Sequence, residues 1–128
     1  MLEKRFAIDT CAADLQMAQK TLDHLANSRN TSQEEIQRAA VQAKKLELKL
    51  AAAKLAQAEY SLSSLKARID YLQVRCSQES GATRREQEEL AWARGALPIN
   101  SVLVNRLAAE LEKGRSELDA LQKDGRLI

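Results

Sequence analysis

Aromatic side chains are scarce in this chain, which has one Trp, two Tyr and one Phe in 128 residues. That leaves Leu and Ala to fill a core, and it leaves no interleaved aromatic surface on which nucleic-acid bases could stack. Proline is nearly absent as well, with Pro98 alone, and the four glycines, Gly81, Gly95, Gly114 and Gly125, are isolated from one another. No glycine-rich loop exists to cradle a phosphate. One histidine and two cysteines without close spacing cannot assemble a structural zinc site. His24 and Cys11 are separated by about 20 Å if they share a helix, which excludes a Cys-His nucleophile pair there. The chain also lacks a charge of one sign: 20 basic and 18 acidic residues are interspersed and leave a formal charge of +2. Such a pattern describes a solvated surface rather than a polyanion-binding field. No run of about 18 uncharged apolar residues is present, so a spanning helix is not expected. Asp9 and Asp14 interrupt the N-terminal segment, so a signal peptide is not expected either. These absences point to a cytoplasmic protein, with a secreted effector as the other reading, and away from an enzyme, a metal protein or a cofactor carrier.

What the chain does contain is heptad spacing. A first helix, over about 2–26, carries a seam of Ile8, Cys11, Leu15, Ala18, Leu22 and Leu25. It ends in Asn27-Ser28-Arg29-Asn30, a run of poor helix formers. Thr31 or Ser32 then offers an N-cap, with Glu34 and Glu35 placed for a capping box. The second helix, over about 32–78, contains neither Gly nor Pro and would be roughly 70 Å long. After a turn at Glu79-Ser80-Gly81-Ala82-Thr83, Thr83 is the expected N-cap of a third helix over about 84–97, with Glu86 as its box partner. Pro98 is expected to stop or kink that helix, because its ring clashes with the preceding turn. Asn100 or Ser101 would cap a fourth helix over about 101–124, with Val104, Leu107, Leu111, Gly114, Leu118 and Leu121 on its seam and Gly125 as an αL C-cap.

The long second helix has two stripes rather than one. The first is Ile36, Ala39, Ala43, Leu46, Leu50, Ala53, Gln57, Tyr60, Ser64, Ala67, Tyr71 and Val74. The second is Val41, Leu48, Ala51, Leu55, Ala58, Leu62, Leu65, Ile69, Leu72 and Cys76. Two offset stripes require two neighbours, so this is the central helix of a bundle. Short connections make sequential helices antiparallel. The register then places Leu15 by Leu46 and Cys11 by Leu50, and on the other side Leu90 by Leu72, Leu97 by Leu65, Leu107 by Leu55 and Leu121 by Val41. Cys76 lies about 39 Å along the helix from Leu50, so a disulfide between Cys11 and Cys76 is excluded and both read as small hydrophobes. The expected fold is a single all-α domain, an antiparallel three-helix bundle or coiled coil with a long central helix and an extended two-helix arm.

In that register the first helix reaches only to about position 60 of the second. Beyond it the first stripe continues uncovered through Tyr60, Ala67, Tyr71 and Val74, which makes this face the expected protein-binding site. Trp92, turned away from the Leu90, Ala93 and Leu97 seam, is expected to add to it as an anchor. Competing with this, the tyrosines could rim the core after a shift of the first helix, and Trp92 could lie over a Pro98-Ile99 bend. The functional expectation is a non-enzymatic protein-protein interaction module, an adaptor, chaperone-like or inhibitor/effector scaffold, that docks a partner helix or a second copy as a homodimer. The alternative is a basic helical nucleic-acid binder using Lys44, Lys45, Lys49 and Lys54 with Arg84 and Arg85. Those lysines fall on the strip between the two seams, where solubility already explains them.

Overall fold

The computed structural model describes residues 2–28, 32–78 and 81–126. It contains three helices, α1 (Leu2–Asn27), α2 (Gln33–Ser77) and α3 (Arg84–Arg126), and no strand among the described residues. The chain is therefore all-α and of the three-helix-bundle class.

Local chemistry sets most of the helix ends. Ser32 Oγ accepts from the Glu35 N–H at 3.2 Å, satisfying one of the orphan donors of α2. The alternative cap, Thr31, lies outside the described residues. At the start of α3 the capping box is reciprocal: the Glu86 N–H donates to Thr83 Oγ1 at 3.1 Å, and the Thr83 N–H donates to Glu86 Oε1 at 3.2 Å. Gly81, with φ of +70°, turns the chain after α2, and its N–H donates to the Gln78 carbonyl at 2.9 Å. A left-handed backbone of this kind is open to Gly at little steric cost.

The division of residues 84–124 into two helices is corrected by the structure. α3 runs without interruption from Arg84 to Arg126, with Pro98 inside it. The apolar seam accounts for this. The apolar seam keeps one heptad phase through the proline, since Leu90, Ala93 and Leu97 are followed in step by Asn100, Val104, Leu107 and Leu111, all of them buried or half-buried. Each apolar side chain so covered is worth about 1.5 to 3 kcal/mol when fully buried, against the roughly 3 kcal/mol that an interior proline costs. Asn100 and Ser101, expected as caps, instead bond back along the helix: Asn100 Nδ2 donates to the Ala96 carbonyl at 2.9 Å and Ser101 Oγ to the Leu97 carbonyl at 3.0 Å. Both are back-bonds of four residues within a continuing helix, whereas the carbonyl that Pro98 leaves without its N–H partner is that of Arg94. Gly125 is likewise no terminator, because α3 continues to Arg126 and the only glycine with positive φ among the described residues is Gly81.

The chain divides into two compact units. The first joins residues 1–55 with 107–128 and draws on all three helices. Its seam on α1 alternates as the heptad requires, with Cys11 buried, Ile8, Leu15, Ala18, Leu22 and Leu25 half-buried, and the residues between them exposed. Ala43 on α2 and Leu111 on α3 are also buried. Gly114 permits a close approach here, since a Cβ built on it would stand 2.5 Å from Leu48 Cδ2. Lys44 is drawn out of the solvated strip to which its spacing assigns it: its Nζ lies 2.6 Å from Glu117 Oε2 and 3.5 Å from Glu47 Oε1. The hydrogen bond with Glu117 raises the Lys44 ammonium above its ordinary value. Lys45, Lys49 and Lys54 remain exposed.

The second unit, residues 56–106, consists of α2 and α3 segments alone. Its core is Ile69, Leu72, Leu90 and Ala93, with Leu65, Cys76 and Leu97 packed against it. Both expected pairings in this unit, Leu72 with Leu90 and Leu65 with Leu97, thus fall within one cluster. Two ion pairs join the same helices. Arg68 Nε and Nη2 donate to Glu89 Oε1 and Oε2 at 2.7 and 3.0 Å, and Arg75 Nε and Nη2 donate to Glu86 Oε2 and Oε1 at 3.1 and 3.3 Å. Glu86 and Glu89 therefore do more than complement the α3 dipole.

The Arg75 guanidinium, assisted by the Thr83 N–H, holds the Glu86 carboxyl at about 2, well below its ordinary value of 4.5. A carboxyl whose pKa is lower folded than unfolded stabilises the fold above its unfolded pKa, and the contribution vanishes as pH falls through the folded value. Thermal melting followed by circular dichroism should thus show stability declining from about pH 5 toward pH 2. Glu86→Gln should flatten that decline and lower the melting temperature at pH 7 but not at pH 2. An unaltered pH profile would mean that the Arg75 contact is not kept in solution.

Candidate protein-binding face

The first stripe of α2 changes character along its length. Ile36, Ala39, Ala43, Leu46, Leu50, Ala53 and Gln57 are all buried or half-buried, whereas Tyr60, Ser64, Ala67, Tyr71 and Val74 are all exposed. The second stripe shows no such change, remaining buried or half-buried from Val41 to Cys76. At 100° per residue the two stripes of the second unit are roughly 150° apart around α2, so the face that meets α3 and the exposed face are nearly opposite. Tyr71 is 52% exposed and Val74 57%. Neither side chain belongs to the core.

Tyr71 has a polar border. The Arg68 guanidinium lies 5.1 Å from its ring centroid while also binding Glu89. One arginine thus stacks on the exposed ring and ties it to the α3 side of the unit. Its hydrogen bonds to Glu89 raise the guanidinium further above its ordinary value, so that charge is permanent.

Trp92 is 70% exposed and does not lie over a Pro98-Ile99 bend, since α3 continues through both residues. Nor does it extend the tyrosine stripe. It heads another one: Trp92, Gly95, Ile99 and Val102 repeat at steps of three, four and three, and all four are exposed. They lie roughly opposite the Leu90, Ala93 and Leu97 seam on α3. The spacing was available in the sequence, but the expected helix break at Pro98 separated its two halves. Six of the seven large exposed hydrophobic residues described, all but Met17, belong to the second unit. Scattered exposure is ordinary for a protein surface, whereas here the large exposed apolar side chains are concentrated on two helix faces.

The remaining candidates have ordinary surroundings. His24 is exposed, Cys11 is a buried free thiol and Cys76 packs against the core of the second unit. Among the described residues no three His, Cys, Asp or Glu side chains converge as metal ligands. No helix is long and apolar enough to cross a membrane among them. Compared with protein-family models, curated proteins and solved structures, the chain matches none.

Proposed function

We propose that the protein is a non-enzymatic interaction module whose α2 face, Tyr60, Ala67, Tyr71 and Val74, takes up a helix from a partner protein. The observation that carries this reading is the exposure of the first stripe from Tyr60 onward while its spacing continues unchanged. A periodic stripe that is covered in one part of a helix and bare in the next has the pattern of an unfilled helix seam. Ala67, between the two tyrosines, gives a close-approach point, and the tyrosines give contact area with polar tips at low entropic cost. The exposed lysines on α2 are compatible with a basic nucleic-acid binder, but they lack the aromatic partners and groove-reading helix that would give it readout. Salt separates the two readings, because phosphate contacts weaken steeply as salt rises and an apolar helix interface does not.

A photo-crosslinking residue placed at Tyr71 or Val74 in living cells should give discrete protein adducts that the same residue at Lys45 or Lys49 does not give. Tyr60→Glu should abolish those adducts by placing an unpaired charge in a desolvated interface. Both side chains are exposed, so Tyr60→Glu and Tyr71→Glu should each leave the chain folded, at a cost of no more than about 1 kcal/mol for the contacts they make. Adducts as abundant at Lys49 as at Tyr71, or none at Tyr71 and Val74, would overturn the reading. Unfolding of the chain by Tyr71→Glu would place the stripe in the core and overturn it as well.

A further inference from the structure

The α3 stripe is separate from the face just described, and its residue order suggests a different occupant. We infer that Trp92, Gly95, Ile99 and Val102 form the interface of a homodimer, in which α3 of one protomer lies antiparallel on α3 of its partner about a two-fold axis at the level of residue 97. Reversing the stripe about that level sets Trp92 against Val102, and Gly95 against Ile99. Gly95 offers the depression that a branched side chain fills, because no side chain beyond its immediate chain neighbours lies within 4 Å of where its Cβ would stand. Helices can approach to the low end of the roughly 8 to 10 Å range at such a site.

The ends of the stripe complete the match. On the same face, one step beyond Trp92, is Glu88, and one step beyond Val102 is Arg106. The same two-fold brings Glu88 of each protomer to Arg106 of the other, so both ends of the interface carry opposite charges. Glu88 also meets Arg84 in its own chain at 3.3 Å, and Arg106 has an interaction of its own. The Glu88–Arg84 pair is exposed on both sides, and exposed ion pairs are weak and readily exchanged. A parallel pairing would stack Trp92 on Trp92 and leave Gly95 facing Gly95, with Glu88 beside Glu88 and Arg106 beside Arg106. Size and charge therefore both select the antiparallel arrangement, and an isologous contact between identical patches is the common form of dimer interface.

The face from Glu88 to Arg106 is about 27 Å long and one helix wide, about 300 Å² in projection. A standard interface buries about 800 Å² per partner, so this dimer is weak, and protein concentrations ranging up to the order of 100 µM are needed to populate it.

Sedimentation equilibrium of the full chain across this range tests the inference. The parent should dimerise reversibly, Ile99→Glu should raise Kd at least about tenfold, and Tyr71→Glu should leave it unchanged. Glu88→Arg and Arg106→Glu should each raise Kd by roughly 3- to 30-fold, since the two-fold doubles each effect. The combined variant, E88R with R106E, should restore the parent value, a result that only this register produces. Circular dichroism of each variant distinguishes loss of the dimer from loss of the fold. A parent that stays monomeric throughout the range would overturn the inference. So would a dimer that Tyr71→Glu dissociates and Ile99→Glu does not, which would place the second copy on α2. Failure of the double charge reversal to restore dimerisation would also overturn it.

Discussion

Leu72→Ala should destabilise the protein by about 3 to 5 kcal/mol, measured from urea unfolding curves followed by circular dichroism. Leu72 is the one large side chain described as fully buried, with no exposed surface, and it is surrounded by Ile69, Leu90 and Ala93. Removing three carbon atoms there loses their transfer free energy and leaves a cavity. The long helices around it are held by the ion pairs of Arg68 with Glu89 and of Arg75 with Glu86, which limits how far they can collapse. The upper part of the range for such substitutions is expected for that reason. Met17→Ala provides the comparison: Met17 is exposed, and its replacement should change stability by no more than about 0.5 kcal/mol. Equal effects of the two substitutions would show that the second unit has no packed core around Leu72.

Gly114→Leu should be the most damaging insertion in the first unit, with an expected cost of about 1 to 3 kcal/mol. The Cβ alone would meet Leu48 Cδ2 at 2.5 Å, so the larger side chain has no space unless α2 and α3 separate locally. Gly114→Ala is a milder case. Alanine favours a helix interior over glycine by roughly 0.5 to 1 kcal/mol, and the clash falls on the flexible end of Leu48, so the two effects nearly offset each other. Pairing Gly114→Ala with Leu48→Ala converts the contact into a measurable coupling. The double variant should be more stable than the sum of the single changes predicts, by about 0.5 to 3 kcal/mol, because each substitution relieves the defect made by the other. Strict additivity would mean that residues 48 and 114 do not touch.

Much of this protein could be read from spacing and end chemistry. The two stripes of α2, the seam of α1 and the caps at Ser32 and Thr83 all follow from which side chains recur every three or four residues and which can satisfy an orphan N–H. The first stripe was legible through to Val74, and its residues from Tyr60 onward are exposed. Three other features were hidden. Pro98 has a strong local preference to end a helix, yet the seam on either side of it is in phase, and packing outweighed that preference. The ion pairs of Arg68 and Arg75 were missed because their partners are more than ten residues away, although they sit in the register that matches Leu72 with Leu90. The Trp92, Gly95, Ile99 and Val102 stripe was divided by the same mistaken break.

By itself, then, the sequence determined the class of structure, the starts of α2 and α3 and which positions face inward, because those depend on the helical repeat and on hydrogen bonds spanning three or four residues. Tertiary structure decided what becomes of each inward-facing position. Gln57 is half-buried and Tyr71 exposed on one continuous stripe, Lys44 is paired while Lys45 is solvated, and α3 passes through its proline. Each of these outcomes depends on whether another helix stands opposite the residue, which is a property of the packed chain and not of the local repeat.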